Sequence, residues 1–280
     1  MGYWGEITSD YDFCEKNYKV SFYVAEFFSA FSSIPIIIYG MYFLNQCVLY
    51  KHDFKMYLSS IGVIVVGIGS FLFHGTMKRT GQMLDEIPML WCSLFMLYTS
   101  LSLFKFSNRN FIHYVGIILL FFGGFNTTLY FYGGFVYFIV SYIITVALVI
   151  FTTVYHSQQQ SSDKILKMFA YYAIGFYAGG FFLLWIPEQV GCGNQLLQNN
   201  NNNNNNREND SGFSSLSDLP VPLHAFFHIT SALGPYYWLT FAIYKDLYIN
   251  KKRKVNITYP INCFSLGVRL PVVEASVKQV

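Results

Sequence analysis

Ser70 and His74 stand four residues apart, as do His224 and His228, so each pair shares one face of any helix that carries it. Asp85 and Glu86 lie between the two pairs in the chain. All of these residues fall in apolar runs or at their edges, where ionisable side chains are costly and tend to mark function. Two histidines at i and i+4, with a third from another helix, suit zinc with a fourth position open to water. Zinc brings the pKa of such a water to about 7. Asp85 can accept or orient that proton, and Ser70 can donate a hydrogen bond to the oxyanion of a tetrahedral intermediate. His224 and His228 alone read as interfacial histidines. Adding His74 and Asp85 turns the reading toward a metal site. His52, His113 and His156 read as solvated loop residues, Glu86 as facing the lumenal interface, and Glu188 as a helix-end residue with no clear partner.

A second constellation precedes the first apolar run. Asp12, Glu15 and Asn17 fall just before it and Glu26 inside it. Calcium takes about 6–8 oxygens, some of them backbone carbonyls. The spacing is not that of an EF-hand, so on spacing alone this is an ordinary acidic flank. Glu26 argues the other way, because a carboxylate within an apolar helix needs a partner.

The elements that position these residues follow from composition. The chain has 280 residues, 54% hydrophobic and only 12% charged, against roughly 25% charged in a soluble domain. Lipid must therefore cover much of the apolar surface. Apolar blocks of about the length that crosses a bilayer run over 21–49, 57–77, 84–104, 111–130, 132–155, 168–187 and 222–248. This predicts an all-α polytopic membrane protein with seven transmembrane helices. The weakest boundary is Tyr132-Gly133-Gly134, which leaves six or eight spans open. Of the 18 Lys and Arg residues, an alternating topology places all but Lys16, Lys19, Lys78, Arg79 and Arg207 on the side of the C-terminus. The positive-inside rule then makes the N-terminus lumenal and the C-terminus cytosolic.

The expected organisation is a lumenal segment over 1–20, a membrane domain over 21–249 and a basic cytosolic tail over 250–280. The loop 191–219 contains the run Asn199 to Asn206 and is expected to be disordered, since asparagine buries too little apolar area to offset ordering. It also carries a glycosylation sequon at Asn209. Cys47 and Cys92 lie within apolar spans and read as inert small hydrophobes. Cys14 and Cys192 fall in lumenal segments, where disulfides persist, and are expected to pair. The cluster Lys251 to Lys254 reads as a stop-transfer anchor, with no nucleic-acid partner needed to explain it.

Three stretches together resemble the alkaline ceramidases, within the wider CREST group of seven-helix membrane hydrolases. They are Gly2-Tyr3-Trp4-Gly5 followed by Asp12 to Tyr18 and Ala25-Glu26-Phe27; Gly69-Ser70, His74, Leu84-Asp85-Glu86 and Pro88-Met89; and Phe226-Phe227 flanked by His224 and His228. The resemblance implies an amidase that cuts ceramide, a membrane lipid, to sphingosine and a free fatty acid. It implies zinc on His74, His224 and His228, Asp85 acting on the zinc water and Ser70 assisting at the oxyanion. It also implies calcium held by Asp12, the Phe13 carbonyl, Glu15, Asn17 and Glu26, with both sites lumenal. Endoplasmic reticulum or Golgi is the expected membrane, and no obligate protein partner is implied. Phe226 and Phe227 replace a tryptophan pair of the family, and the segment from Trp185 to Gln189 lacks an acidic pattern expected there.

The main rival is a seven-helix lipid-sensing receptor related to the adiponectin and progestin receptors, a family with a similar zinc arrangement and generally the opposite orientation. A G-protein-coupled receptor would want a DRY-like triplet and an NPxxY-like motif, which this sequence lacks. A transporter would use Asp85, Glu26 and the histidines as a proton relay.

Overall fold

A computed structural model describes residues 2–104, 108–160, 162–192, 221–263 and 268–275, with Cys192 and residues 259–263, 268–271, 274 and 275 described by backbone alone. The helices run in the order α1 (Phe27–Ser32), α2 (Ile34–Tyr50), α3 (Phe54–Thr76), α4 (Arg79–Ser102), α5 (Arg109–Gly133), α6 (Phe135–Gln159), α7 (Lys164–Gly180), α8 (Ile186–Cys192) and α9 (Leu223–Tyr244). A π-helical turn, Phe181–Trp185, joins α7 to α8, and a second, Lys245–Asn250, extends α9. Taking α1 with α2 and α7 with α8, the described residues hold seven long helical stretches. Among the described residues beyond Asn250 the tail is not helical. Val255–Cys263 (β1) and Val268–Ala275 (β2) form an antiparallel pair with Val255 opposite Ala275. The asparagine run and Asn209 lie outside the described residues.

Among the described residues, five stretches are long and apolar enough to cross a membrane: Phe27–Tyr50, Phe54–Thr76, Arg109–Gly133, Phe135–Gln159 and Lys164–Gly191. That pattern is consistent with an integral membrane protein. The helices that fall short by composition are α4 and α9. They are also the ones that carry Asp85 and Glu86, and His224 and His228.

Cα packing divides the chain into two compact units. One comprises residues 1–39, 63–89 and 175–233 and contains every candidate site residue. Its N-terminal segment does not begin α1 at residue 21, as the apolar run suggests. The amides of Ala25 and Glu26 instead donate to the carbonyls of Gly75 and His74, at 3.0 and 2.9 Å. Those carbonyls end α3 and would otherwise lack intrahelical partners, so the chain stays extended until Phe27. Glu15 then supplies the cap for α1 from twelve residues before its start. Its carboxylate accepts from the amides of Phe28 and Ser29 at 2.7 and 2.9 Å, where a carboxylate suits the helix dipole.

Helices α3 and α4 meet backbone to backbone. A Cβ on Gly69 would lie 1.9 Å from the Leu84 carbonyl oxygen and 3.0 Å from the Asp85 Cα, so only glycine fits. Pro88 lies inside α4 and has no amide hydrogen to donate to Leu84. The carbonyl it leaves without its helical partner is the one turned toward Gly69.

The second unit comprises residues 40–62, 90–174 and 234–280. Gly134, with φ +69°, breaks the apolar run between α5 and α6, which resolves the doubtful boundary in favour of two helices. These helices expose Ile118, Phe121, Phe125, Tyr132 and Phe151, surface that lipid would cover. Their contact is marked by the Asn126 amide: Nδ2 donates to the Phe122 carbonyl at 2.9 Å and Oδ1 accepts from Ser141 Oγ. His156, expected to be solvated, is fully buried, with Nε2 3.0 Å from the Ser100 carbonyl. His113 is exposed as expected. Asp246 is buried within reach of Lys55 (3.9 Å) and Lys251 (2.7 Å).

Candidate metal centre

Helix α3 delivers Ser70 and His74 on one face, and the first turns of α9 deliver His224 and His228. All four are buried. One ligand nitrogen from each of His74, His224 and His228 lies within 4.8 Å of the others, and the ring centroids are 4.5–4.9 Å apart. Among the described residues, this is the one group of three or more His, Cys, Asp or Glu side chains gathered closely enough to hold a metal.

Each ring is held from behind. His74 Nδ1 lies 2.6 Å from Glu26 Oε2, and both residues are fully buried. His228 Nδ1 lies 2.9 Å from the Ser29 carbonyl, 2.8 Å from Ser32 Oγ and 3.2 Å from Ser33 Oγ. A carbonyl only accepts, so the network assigns the proton of His228 to Nδ1. His224 Nδ1 lies 3.3 Å from Glu188 Oε2. A histidine whose Nδ1 proton is engaged presents the lone pair of Nε2, the arrangement seen behind metal-bound histidines. His74 Nε2 has no hydrogen-bond partner although it is buried. Buried polar atoms are rarely left so, and a bound cation would satisfy this one. Three imidazoles, two of them backed by buried carboxylates and the third by a carbonyl and two hydroxyls, are borderline nitrogen donors that fit zinc.

Ser70 Oγ lies 3.3 Å from His228 Nε2 and 2.9 Å from Ser33 Oγ. Asp85 is brought alongside through its backbone, its Cα packed against the glycine preceding Ser70. Its Oδ1 is buried and has no hydrogen-bond partner. Glu86 does not face the interface. It is buried, and its Oε1 accepts from Tyr11 Oη at 2.5 Å and from Gln82 Nε2 at 3.0 Å.

The N-terminal oxygens gather only in part. Asn17 Nδ2 donates to both Asp12 oxygens, at 3.0 and 3.1 Å, and the Glu26 carboxyl also faces Asp12. Burial raises the Asp12 pKa, against the hydrogen bonds it receives from Asn17 and the Phe13 amide. Asn17 Oδ1 and Glu26 Oε1 are buried acceptors with no donor, the kind of atoms a hard cation takes. Glu15 is already occupied by α1, receiving Ser29 Oγ at 2.8 Å besides the two amides. Phe13 packs its ring 3.9 Å from that of His224 and 5.0 Å from that of His74, so the same segment roofs the triad.

Cys14 is disulfide-bonded, whereas Cys47 and Cys92 are free and buried as expected. The side chain of Cys192 lies outside the described residues.

Glu188, Ser29, Ser32 and Ser33 were not anticipated as parts of the site. Glu188 did carry a signal, being a carboxylate within an apolar run. The serines carried none beyond their spacing of three and four residues.

The Ceramidase family model matches residues 5–274. The chain belongs to the ceramidase family. Alkaline ceramidase 3 of Mus musculus is 28% identical over 93% of this chain and 92% of its own length. An alkaline ceramidase of Saccharomyces cerevisiae is 40% identical over 90 residues, 32% of this chain and 28% of that protein. One from Arabidopsis thaliana is 33% identical over 96 residues, 34% of this chain and 38% of that protein. Membership of the ceramidase family makes the chain an enzyme and sets aside the receptor and transporter readings.

Proposed function

We propose that this ceramidase-family enzyme is a zinc-dependent intramembrane amidase that hydrolyses ceramide to sphingosine and a free fatty acid. The observation that carries this reading is the triad, with an outside partner at the Nδ1 of every ring. Zinc, held by His74, His224 and His228, would act as a Lewis acid on the amide carbonyl and make water nucleophilic near neutral pH.

The chain's own residues do the rest. Asp85, through Oδ1, takes the proton of the attacking water and returns it to the leaving amine as the C–N bond breaks. Ser70 donates a hydrogen bond from its hydroxyl to the carbonyl oxygen as negative charge develops there, and Ser33 holds the Ser70 hydroxyl in place. The Phe13 ring and the neighbouring aromatic cluster keep bulk water from the triad. An active site walled by apolar helices can receive a membrane lipid sideways from the bilayer.

Calcium fits the pocket of Asp12, the Phe13 carbonyl, Asn17 and Glu26, on the strength of the two unsatisfied oxygens there, with Glu15 shared between the cation and α1. It would fix the segment that supports His74 and roofs the triad. Seven spans, a lumenal N-terminus, a cytosolic C-terminus and residence in the endoplasmic reticulum or Golgi complete the proposal. Pairing of Cys14 with Cys192 belongs to it as well, and peptide mapping with and without reductant that finds both as free thiols would remove that pairing.

The decisive experiment is ceramide hydrolysis by detergent-purified protein beside His224→Ala, with metal content read on both. Sphingosine release by the wild type, lost together with its zinc in the variant, is the expected result. A variant that keeps both zinc and activity would overturn the assignment.

A further inference from the structure

The structure assigns Glu188 as the positioning residue for His224, an assignment that rests on the zinc reading above. Glu188 Oε2 and His224 Nδ1 are 3.3 Å apart, both residues are buried, and neither atom makes a hydrogen bond, so the ion-pair approach of one to the other is the contact that each has. A buried carboxylate with no counterpart is expensive, and the atom it faces is the imidazole nitrogen that remains when Nε2 is turned to a metal. His74 has the same arrangement with Glu26. Two of the three rings would thus be oriented by carboxylates from separate parts of the chain, Glu26 ahead of α1 and Glu188 in α8.

Two features show that Glu188 is aimed rather than merely enclosed. Its other oxygen, Oε1, is anchored by the Cys14 amide at 3.4 Å, and Cys14 Sγ lies 4.0 Å from the Glu188 carbonyl oxygen. The carboxylate is therefore held between the N-terminal segment and the histidine. The π turn Phe181–Trp185 comes immediately before α8. Such a turn adds one residue to a helix, which rotates every later side chain by about 100°. Continued as a plain α-helix, α7 would carry residue 188 on a different face. Glu188 needs the π turn in order to meet His224.

A positioning carboxylate fixes the ring orientation and raises the basicity of the metal-bound nitrogen, and its loss typically costs about 10–100-fold in metal affinity. The test uses purified full-length protein in detergent, with zinc affinity measured by chelator competition and cobalt(II) as a spectroscopic probe. The variants are Glu188→Gln, Glu188→Asp and His224→Ala. Glu188→Gln is expected to lose zinc affinity about 10–100-fold and to shift the visible cobalt bands, while Glu188→Asp recovers part of both. Wild-type affinity and an unchanged cobalt spectrum in Glu188→Gln, with zinc lost in His224→Ala, would overturn the role of Glu188 and leave the zinc reading standing. Wild-type protein that holds no zinc, or His224→Ala that retains it, would overturn both. If Glu188→Gln does not yield folded protein, Glu188→Asp carries the test, and wild-type affinity and spectrum there would sink the assignment.

Discussion

Glu26 meets His74 twice. Its amide donates to the His74 carbonyl at 2.9 Å, and its carboxylate lies 2.6 Å from the His74 Nδ1. The backbone contact sets where α3 ends, and the side-chain contact sets how the ring is turned. One residue thus fixes both the position and the orientation of a proposed metal ligand. Glu26→Gln keeps the amide contact and removes the charge. It is expected to weaken zinc binding by about 10–100-fold, measured by chelator competition, while helix content by circular dichroism is unchanged.

Stripping the metal should abolish hydrolysis without unfolding the helices. The Nδ1 neighbour of each ring is a group of the protein itself, so the rings have contacts besides the metal. Bound zinc then adds stability by mass action, about 2.7 kcal/mol at a hundredfold excess over its Kd. Thermal melts with and without chelator would show this as a lowered midpoint, reversed by adding zinc back. A melt that ignores the metal would refute it.

Ser70→Ala separates binding from chemistry. The hydroxyl lies beside His228 Nε2 and is held by Ser33, but it is not among the proposed metal ligands. Loss of an oxyanion donor costs about 10²–10³ in kcat. The expected outcome is a fall of that order with zinc content and KM little changed. A raised KM at wild-type kcat would instead make Ser70 a substrate-binding group.

Glu15→Ala tests the cap of α1. Three donors on Phe28 and Ser29 lose their acceptor. Loss of a helix cap typically costs about 0.5–2 kcal/mol, and burial of the orphaned donors places this case toward the upper end. A midpoint equal to wild type in a thermal melt would show that water replaces the carboxylate.

His52 gives a pH dependence away from the site. Burial pushes its pKa down to about 4; Asp246 and Asp53 act against that shift, while Lys251 and Arg253 act with it. The folded state therefore resists protonation that the unfolded chain accepts near pH 6.5. Stability contributed by this group is intact above that pH and falls as pH drops from about 6.5 toward about 4. His52→Gln is expected to flatten the acid limb of a stability profile measured by urea titration, and an unaltered limb would show that other groups set it.

The triad was legible because its signals are local. Residues four apart on a helix announce a shared face, and a histidine or aspartate in an apolar run announces itself. Glu188 sits in just such a run, yet its two contacts are with Cys14, 174 residues away in the chain, and with His224 across residues outside the described structure. No periodicity reports a pairing of that kind. His156 departs from expectation for a related reason. It ends an apolar run and looks solvated, but the carbonyl it meets belongs to α4. The start of α1 lies later than the apolar run suggests because apolar content does not reveal that the amides of Ala25 and Glu26 bond to the end of α3.

The contact at Gly69 has a consequence for interpreting sequence variants. Ser70 and Asp85 belong to different helices, and the approach of those helices depends on the missing side chain at Gly69, the residue before Ser70. Replacing Gly69 with alanine would remove no charge, no hydroxyl and no ligand, yet it would wedge α3 from α4 next to the backbone that carries Asp85. Such a variant should hold zinc normally and hydrolyse poorly, which would make it a lesion of distance alone. Metal content beside turnover would reveal it, and a catalogue of catalytic groups would pass it over.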